Sequence, residues 1–174
     1  MPALLRTYAP EDREAVNALA LAAFQQYRHA YGDWPAFSKA VGNMAALSGS
    51  GELIVAEEEN KVVGAVAYIG PNKPKADFFN PEWPVMRMLV VHPSSRGLGI
   101  GRCLAEECIR LAIRDQAAVF ALHTTGIMSV ALGMYERMGF TFHRAAPPIH
   151  GVPYGIYLKT LRPVHAEGFA KEWP

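Results

Sequence analysis

The sequence predicts an α/β fold in which helices cover both faces of a mixed β-sheet. Residues 85–91 are almost continuously apolar, which is typical of a strand buried on both faces. A loop, a helix and a strand over 119–124 follow, and a strand–helix–strand unit implies a parallel pair with a crossover helix. Hairpin patterns on either side of this unit add antiparallel strands. The pattern therefore predicts about seven strands and about four flanking helices.

The segment before the central strand is predicted to hold two helices and a hairpin. Pro10 and the acidic residues Glu11 and Asp12 mark a helix start, because proline fits the first turn and carboxylates favour the positive end of the helix dipole. The predicted elements are a strand over 4–8, helices over 10–27 and 36–47, and strands over 53–56 and 62–69. The long loop over 70–84 either borders a functional site or is a surface excursion held down by its aromatic residues.

The segment after the central strand is predicted to contain two helices and a closing antiparallel pair. The helix that starts near Ile100 has Cys103, Leu104 and Cys108 on one face, so both cysteines are expected in the core rather than in a disulfide or metal site. Gly139 ends the second helix as a C-cap residue. The remaining predicted elements are strands over 119–124, 140–144 and 154–161 and a helix over 127–138.

Composition and charge argue against several classes of protein. The 174 residues are 51% hydrophobic and 19% charged with a net charge of +1, which fits one domain over 1–174, with a core over about 4–161 and a C-terminal tail over 162–174. No basic stripe calls for nucleic acid or a membrane surface, and no apolar stretch reaches the roughly 20 residues that span a bilayer. The first residues lack the apolar segment of a signal peptide, so a cytoplasmic location is expected.

A glycine-rich loop follows the central strand directly. Gly97, Gly99 and Gly101 stand at alternate positions after the strand-breaking pair His92-Pro93. A helix begins at once, so its unpaired N–H groups and positive dipole end lie at the same place. These features favour a phosphate or pyrophosphate site, the alternative being a tight turn without a ligand. The spacing fits neither the P-loop pattern G-x-x-x-x-G-K-S/T nor the dinucleotide fingerprint G-x-G-x-x-G.

Two motifs carry a resemblance to one enzyme family. The run R-G-L-G-I-G over 96–101 resembles the acetyl-CoA loop Q/R-x-x-G-x-G/A of the GCN5-related N-acetyltransferases, the GNAT family. The run A-L-G-M-Y-E-R-M-G-F over 131–140 is similar to the family signature A-x-x-L/M-Y-E-K/R-x-G-F, at the separation that the family shows. The resemblance is specific over about 85–144. It implies a GNAT-like sheet that is splayed at the cofactor strand, with acetyl-CoA as the cofactor.

The resemblance assigns roles to residues of both motifs. Backbone groups of the central strand would bond the pantetheine arm of the cofactor, and N–H groups of the loop would hold its pyrophosphate. The implied cofactor-binding residues are Leu89, Val90, Val91, Arg96, Gly97, Leu98, Gly99, Ile100, Gly101 and Arg102. Tyr135 would be the general acid that protonates the CoA thiolate, the alternative being a simple core residue. Many members have an asparagine seven residues before this tyrosine, where this chain has Met128.

The residues that activate the acceptor are less well defined. Family members often carry a glutamate near the central strand, but this strand has Arg87 and no carboxylate. Arg87 either binds a substrate carboxylate or pairs with Asp77 or Glu82. His123, at the end of the neighbouring strand, is the candidate catalytic base, the alternative being a histidine that only lines the sheet.

Aromatic residues are expected to line the acceptor pocket. The link over 28–34, the loop before the central strand and the closing hairpin should border it, so Tyr31 and Trp34 are predicted substrate-binding residues together with Arg87. Two functions fit these observations. One is acetyl transfer directly from acetyl-CoA to a primary amine of a small molecule or an amino terminus, and the other is a non-catalytic module that holds acyl-CoA. Because members of the family are frequently dimers, a homodimer is a candidate assembly.

Overall fold

The computed structural model describes residues 2–161, and the predicted tail over 162–174 lies outside the described residues. The strands in this range are β1 (Leu4–Thr7), β2 (Glu52–Glu58), β3 (Lys61–Ile69), β4 (Val85–Val91), β5 (Val119–Thr124), β6 (Thr141–Ile149) and β7 (Val152–Thr160). The helices are α1 (Arg13–Phe24), α2 (Trp34–Val41), α3 (Ile100–Arg114) and α4 (Ser129–Arg137). Within residues 2–161, no helix combines the length and apolar character needed to cross a membrane.

The seven strands form one mixed sheet in the order β1-β2-β3-β4-β5-β7-β6. Neighbouring strands are antiparallel except β4 and β5, which are parallel and are joined through α3. The predicted mixed sheet, its parallel pair and both hairpins are confirmed. Glu59 and Asn60 form the turn between β2 and β3 with positive φ angles, which match the twist of a tight hairpin.

The sheet is buried on both faces, and each face has its own hydrophobic core. We call the face covered by α1 and α2 the front face and the face covered by α3 and α4 the back face. On β4, Val85 and Val90 belong to the front core, whereas Met86 belongs to the back core. Because β4 contributes to both cores, it needs apolar residues at nearly every position.

β4 and β5 separate soon after they begin to pair. Only two ladder pairs join them, Val85 with Ala121 and Met86 with Leu122. A β-bulge also interrupts the pairing of β3 with β4, and Met88 within it has a φ of +56°, which is uncommon for a residue other than glycine. The remainder of β4 therefore has no strand partner on the side that faces β5, and this gap is the predicted splay.

The edge strand β6 is longer than the sequence predicts. It runs to Ile149 and includes Pro147 and Pro148, whereas the prediction ends the strand at Arg144. β6 is an edge strand, so one of its sides has no neighbouring strand. Because proline has no N–H group, it is tolerated where that group would face the open side. A register shift between Ala146 and Ile149 accommodates the prolines against β7.

The second helix also has different bounds from those predicted. α2 begins at Trp34 because Asp33 is its N-cap, accepting a hydrogen bond of 3.1 Å from the backbone N–H of Ala36, with Pro35 in the first turn. It ends at Val41, and residues 44–49 continue as a 3₁₀ segment rather than as the predicted helix.

The start of α3 lies in close contact with β3. A Cβ atom at Gly64 would lie 2.9 Å from Ile100 Cγ2 and 3.0 Å from Leu104 Cδ1, so only glycine allows this approach. Cys108 is buried on the same side of α3, as predicted. Cys103 is exposed, so its predicted place in the core is wrong, because the helix is rotated to bury its neighbour Leu104 instead.

We expect Gly64→Val to lower the free energy of unfolding by about 1–3 kcal/mol, because the added side chain must displace α3 from the sheet. Urea unfolding followed by circular dichroism measures this change. Gly49→Val is the matched control, since a Cβ there meets nothing within 4 Å. Equal unfolding midpoints for the two variants would contradict the close packing of α3 on β3.

Candidate active site

The loop between β4 and α3 holds its glycines in conformations that favour glycine. Gly97 has a φ of +79° and Gly99, the N-cap of α3, a φ of +80°. A Cβ atom at either position would meet nothing within 4 Å, so both glycines border open space. The loop therefore presents its backbone outward.

Seven consecutive backbone N–H groups in this loop have no hydrogen-bond partner within residues 2–161. In the described part of the chain, no N–H of residues 96–102 donates a hydrogen bond, whereas Cys103 N–H bonds the carbonyl of Gly99 at 3.0 Å. The first turn of α3 lies among them, so the positive end of its dipole adds to their field. This arrangement can hold an anion such as a pyrophosphate.

The side chain of Arg96 fixes the loop against α1. Its guanidinium donates hydrogen bonds of 3.0 Å to the carbonyl oxygen of Ala23 and to Oε1 of Gln26. Arg102, at the other end of the loop, bonds Glu106 on the surface of α3. The two arginine side chains are thus engaged with the protein, and their predicted part in cofactor binding falls on their backbone N–H groups.

The predicted cofactor residues of β4 stand beside this loop. Leu89, Val90 and Val91 lie on the part of β4 that β5 does not pair, so their backbone groups on that edge are free for a ligand. A Cβ atom at Gly101 would lie 3.6–4.0 Å from the side chains of Val91, Leu89 and Met134. β4, the start of α3 and α4 therefore meet at one place. Of the loop side chains, Ile100 is buried in the back core, whereas Leu98 is 67% exposed at the loop apex.

A cavity of about 280 Å³ opens where β4 and β5 separate. Its walls come from both faces of the sheet, so it passes through the gap between the strands. The lining residues are Phe24, Phe37, Ala40, Val41, Met86, Arg87, Met88, Leu89, Leu122, His123, Thr124, Met128, Ala131, Tyr135, Ile149, His150 and Tyr154. The cavity therefore joins three predicted site residues, Arg87, His123 and Tyr135, to one end of the predicted cofactor strand.

Tyr135 reaches the cavity from the back face. Its side chain is buried against Phe140, with ring centroids 6.0 Å apart. The hydroxyl makes no hydrogen bond to another described residue. Burial raises the pKa of Tyr135 well above its usual value, so the hydroxyl keeps its proton at neutral pH. Tyr135 is thus a protonated donor without a partner at the cavity wall.

His123 reaches the cavity from the front face. Its ring contacts Phe78, Phe79 and Tyr154 at centroid distances of 5.2–5.7 Å, and it has no hydrogen-bond partner among the described residues. Burial, aided by the nearby charge of Arg87, lowers the pKa of His123 to about 4. The imidazole is therefore neutral at pH 7 and can accept a proton, but it holds that proton weakly.

Arg87 brings a positive charge to the same wall. In residues 2–161, its guanidinium makes no ion pair and no hydrogen bond, so the pairing with Asp77 or Glu82 that the sequence allows does not form. Partial desolvation lowers the pKa of Arg87, but the residue keeps an exposed surface and, as an arginine, remains charged at neutral pH. Arg87 is available to bind an anionic group.

The predicted substrate contacts Tyr31 and Trp34 stand behind the cavity wall. Tyr31 is buried, stacks on Phe37 with ring centroids 3.8 Å apart, and shares a hydrogen bond between its hydroxyl and that of Tyr154. Trp34 packs at 5.9 Å from Phe37. Both residues hold the rings of the wall in place, and neither lines the cavity itself.

Several residues of the cavity wall carry no sequence pattern that marks them as part of a site. Phe24 and Phe37 resemble ordinary core residues of amphipathic helices, and Ile149 and His150 fall in a stretch predicted as a loop. His150 has a φ of +44°, and its carbonyl accepts a 2.7 Å hydrogen bond from Gly32 N–H, which ties the hairpin to the link before α2. The aromatic residues of this link indicate that it borders the cavity, but the sequence does not show which of their side chains face the interior of the cavity.

A larger open groove of about 770 Å³ lies elsewhere, between the start of β2 and the end of α3. Its charged residues are mostly paired with one another: Arg114 bonds Glu52 and Asp115, and Asp115 accepts a 2.8 Å hydrogen bond from the Tyr68 hydroxyl. The smaller cavity is the better candidate for chemistry, because the side chains of Arg87, His123 and Tyr135 in its wall have no hydrogen-bond partner among residues 2–161. Within residues 2–161, no cluster of three or more histidine, cysteine or acidic side chains is placed to hold a metal.

Comparison with known families gives the class of protein that this fold and site define. The acetyltransferase (GNAT) domain family matches residues 49–142, more than half of the chain. The chain therefore belongs to the GNAT acetyltransferase family, as the two motifs predict. No curated protein sequence matches it at a significant level.

Solved structures share the fold at low sequence identity. A GCN5-related N-acetyltransferase of Rhodopseudomonas palustris has a TM-score of 0.73 and 20% identity, over 92% of this chain and 97% of that one. PaiA N-acetyltransferase of Thermoplasma acidophilum, in complex with coenzyme A, has a TM-score of 0.72 and 16% identity, over 92% of this chain and 99% of that one. YncA of Salmonella typhimurium, with its cofactor acetyl-CoA, has a TM-score of 0.67 and 17% identity, over 94% of this chain and 96% of that one. The predicted GNAT-like sheet is confirmed.

We expect His123 to titrate near pH 4 in an NMR experiment that follows the histidine ring carbons, with His123→Gln used to assign its signal. Arg87→Gln should raise this midpoint but leave it below 6.5, because burial is the larger of the two causes and persists. Arg110→Gln, on the surface of α3, is the control for a lost positive charge and should leave the midpoint in place. A wild-type midpoint near 6.5 would mean that water solvates the ring.

Proposed function

We propose that this protein transfers an acetyl group from acetyl-CoA directly to a primary amine of a small molecule or an amino terminus. The observation that carries the proposal is the gap between β4 and β5. An anion-binding loop stands at one end of this gap, and a protonated, unpartnered Tyr135 stands in its wall. A cytoplasmic location and a homodimer stay predictions from the sequence.

The residues of the gap fit acetyl-CoA. The unpaired N–H groups of 96–102 suit the pyrophosphate, and the free edge of β4 at Leu89, Val90 and Val91 suits the amide groups of pantetheine, which would extend the sheet as an extra strand does. Met128 lines the cavity where many relatives have asparagine, and its thioether offers no hydrogen-bond donor. Binding here would therefore depend on backbone groups. The coenzyme A and acetyl-CoA bound to PaiA and YncA support this assignment.

Bound acetyl-CoA would supply the acetyl group as a thioester, whose C–S bond breaks as the acceptor nitrogen forms the new C–N bond. A backbone N–H on the free edge of β4 would stabilise negative charge on the carbonyl oxygen, as an oxyanion site does. The Tyr135 hydroxyl would donate its proton to the departing sulfur. Burial raises the pKa of the Tyr135 hydroxyl. The same loss of solvation would raise the pKa of the CoA thiol in this cavity, so proton transfer between the two groups would remain feasible.

His123 would act on the acceptor from the front face. Its neutral imidazole can accept a hydrogen bond from the amine and so orient the nitrogen lone pair. Because the pKa of His123 is about 4, the ring would pass the amine proton on to water rather than store it. We therefore assign His123 a role in orienting the amine and starting proton removal.

We expect Gly99→Val to weaken binding of coenzyme A at least tenfold in a calorimetric titration, because the side chain would enter the open space in front of the loop amides. Gly151→Val is the matched control. It has a φ of +84° and equally open surroundings, but it lies in the turn between β6 and β7. Equal losses in both variants would assign the effect to backbone strain and remove the loop from the cofactor site.

We expect Tyr135→Phe to bind acetyl-CoA about as well as the wild type but to lower kcat by about 10²–10⁴-fold, the range typical of a lost general acid. A thiol-release assay measures turnover, and calorimetry measures binding. Tyr157→Phe, whose ring packs against Phe142 on β6, is the control for loss of a tyrosine hydroxyl. Unreduced turnover in Tyr135→Phe would exclude this residue as the proton donor.

The same two assays separate the proposed enzyme from a binding module of the same fold. Micromolar binding of acetyl-CoA together with amine-dependent thiol release supports the enzyme. Binding without thiol release for any amine would instead support a protein that only holds acyl-CoA. NADH is the negative control for binding, since the loop does not match the dinucleotide fingerprint.

A further inference from the structure

The described residues that line the cavity are mostly apolar or aromatic. Of its 17 lining residues, Arg87 is the only lysine or arginine, and none is aspartate or glutamate. The residues that line the cavity together with Arg87 include Phe24, Phe37, Ile149 and the neutral His123. Arg87 is therefore the one arginine or lysine that the described lining residues contribute to the cavity.

Arg87 has no protein partner among residues 2–161. Arg6, Arg102, Arg110 and Arg114 are each paired with a carboxylate, but other arginines of residues 2–161 are not, so what sets Arg87 apart is its place in the cavity wall. Arg87 has neither an ion pair nor a hydrogen bond in residues 2–161, although it stands on the central strand of the sheet. Arg87 is an exposed residue of β4, so its guanidinium is solvated in the absence of a ligand, and an anion that binds there would replace this water with paired, charge-assisted hydrogen bonds.

The side of the sheet that Arg87 occupies separates it from the proton donor. Arg87 is paired with Ala67 in the ladder, and Ala67 belongs to the front core, so both side chains point to the front face. His123 is paired with Ile156 and points the same way. Tyr135 belongs to the back core. A molecule that enters from the front would meet Arg87 and His123 first, with the thioester beyond them.

We propose that the acceptor is a small primary amine that also carries a carboxylate, which the guanidinium of Arg87 binds, while the apolar part of the acceptor packs against Phe24, Phe37 and Ile149. This inference rests on the proposed acetyltransferase function and narrows its acceptor. A planar guanidinium matches a carboxylate with two parallel hydrogen bonds, which fixes the amine relative to His123.

The same features disfavour other amines. Polyamines and aminoglycosides carry several positive charges, which need carboxylates in the site, and Arg87 would repel them. A volume of about 280 Å³ lies below the usual range of ligand pockets, about 300–1,000 Å³, and suits an acceptor of few atoms. A polypeptide amino terminus has no carboxylate of its own beside the amine.

The test compares acceptors that differ only in this charge. Thiol release from acetyl-CoA is measured with L-phenylalanine, L-methionine and L-leucine against their carboxamides, with 4-aminobenzoate against 4-aminobenzamide, and with spermidine. We expect kcat/KM to favour the carboxylate at least tenfold in one or more of these pairs, and spermidine to be a poor acceptor. The pairs also separate an amino acid from an aryl amine as the source of the carboxylate.

Variants of Arg87 test whether this residue carries the preference. Arg87→Gln should reduce the carboxylate-to-carboxamide ratio of kcat/KM at least tenfold, mainly through KM, and Arg87→Lys should restore part of it because the charge is kept. Arg110→Gln removes a surface charge far from the cavity and should keep the ratio. Calorimetric binding of acetyl-CoA confirms that each variant is folded.

The outcomes distinguish this inference from the proposed function. Turnover of carboxamides or spermidine as fast as, or faster than, that of the carboxylates would overturn the inference and leave the acetyltransferase standing. A carboxylate preference that persists in Arg87→Gln would overturn the role of this arginine. If none of these amines drives thiol release, the inference is overturned, and the proposed function fails with it when peptide amino termini are equally inactive.

Discussion

The free edge of β4 is the constraint on which the rest of the site depends. Two ladder pairs hold β4 and β5 together, and beyond them the strands diverge. An unpaired backbone edge inside a protein is unfavourable unless water or a ligand satisfies it. The bulge at Met88 and the tight packing of α3 at Gly64 maintain this edge, because both fix β4 between β3 and the loop. The fold thus leaves backbone N–H and C=O groups of β4 available to hydrogen-bond a ligand.

The gap also divides the chemistry between the two faces of the sheet. The loop amides and Tyr135 belong to the back of the molecule, where α3 and α4 pack, whereas Arg87 and His123 point to the front. A cofactor bound along β4 and an acceptor entering from α1 and α2 would therefore meet in the gap from opposite sides. Arg96 connects the two halves, since it belongs to the loop but bonds α1.

Burial acts on the titratable groups of the site in one consistent direction. It favours the neutral form of each, raising the pKa of Tyr135 and lowering the pKa of His123. Tyr135 therefore remains protonated and the imidazole of His123 remains neutral, which is the state that the proposed amine acetylation would require. Arg87, the one arginine or lysine among the described lining residues, keeps its charge, and this is the basis of its proposed role in selecting the acceptor.

The sequence by itself determined the sheet, its parallel pair, the family and the loop, because local signals report them: alternating or continuous apolar runs, glycines at fixed spacing and the Y-E-R-M-G-F run. It left open whether Arg87 is paired, and it misplaced Cys103, the end of β6 and the bounds of α2. Which side chains line a cavity depends on the bulge, on helix rotation and on contacts between distant segments, such as the bond between Gly32 and His150. Only the tertiary structure decided these, because partners far apart in the chain must meet before burial and charge can act on them.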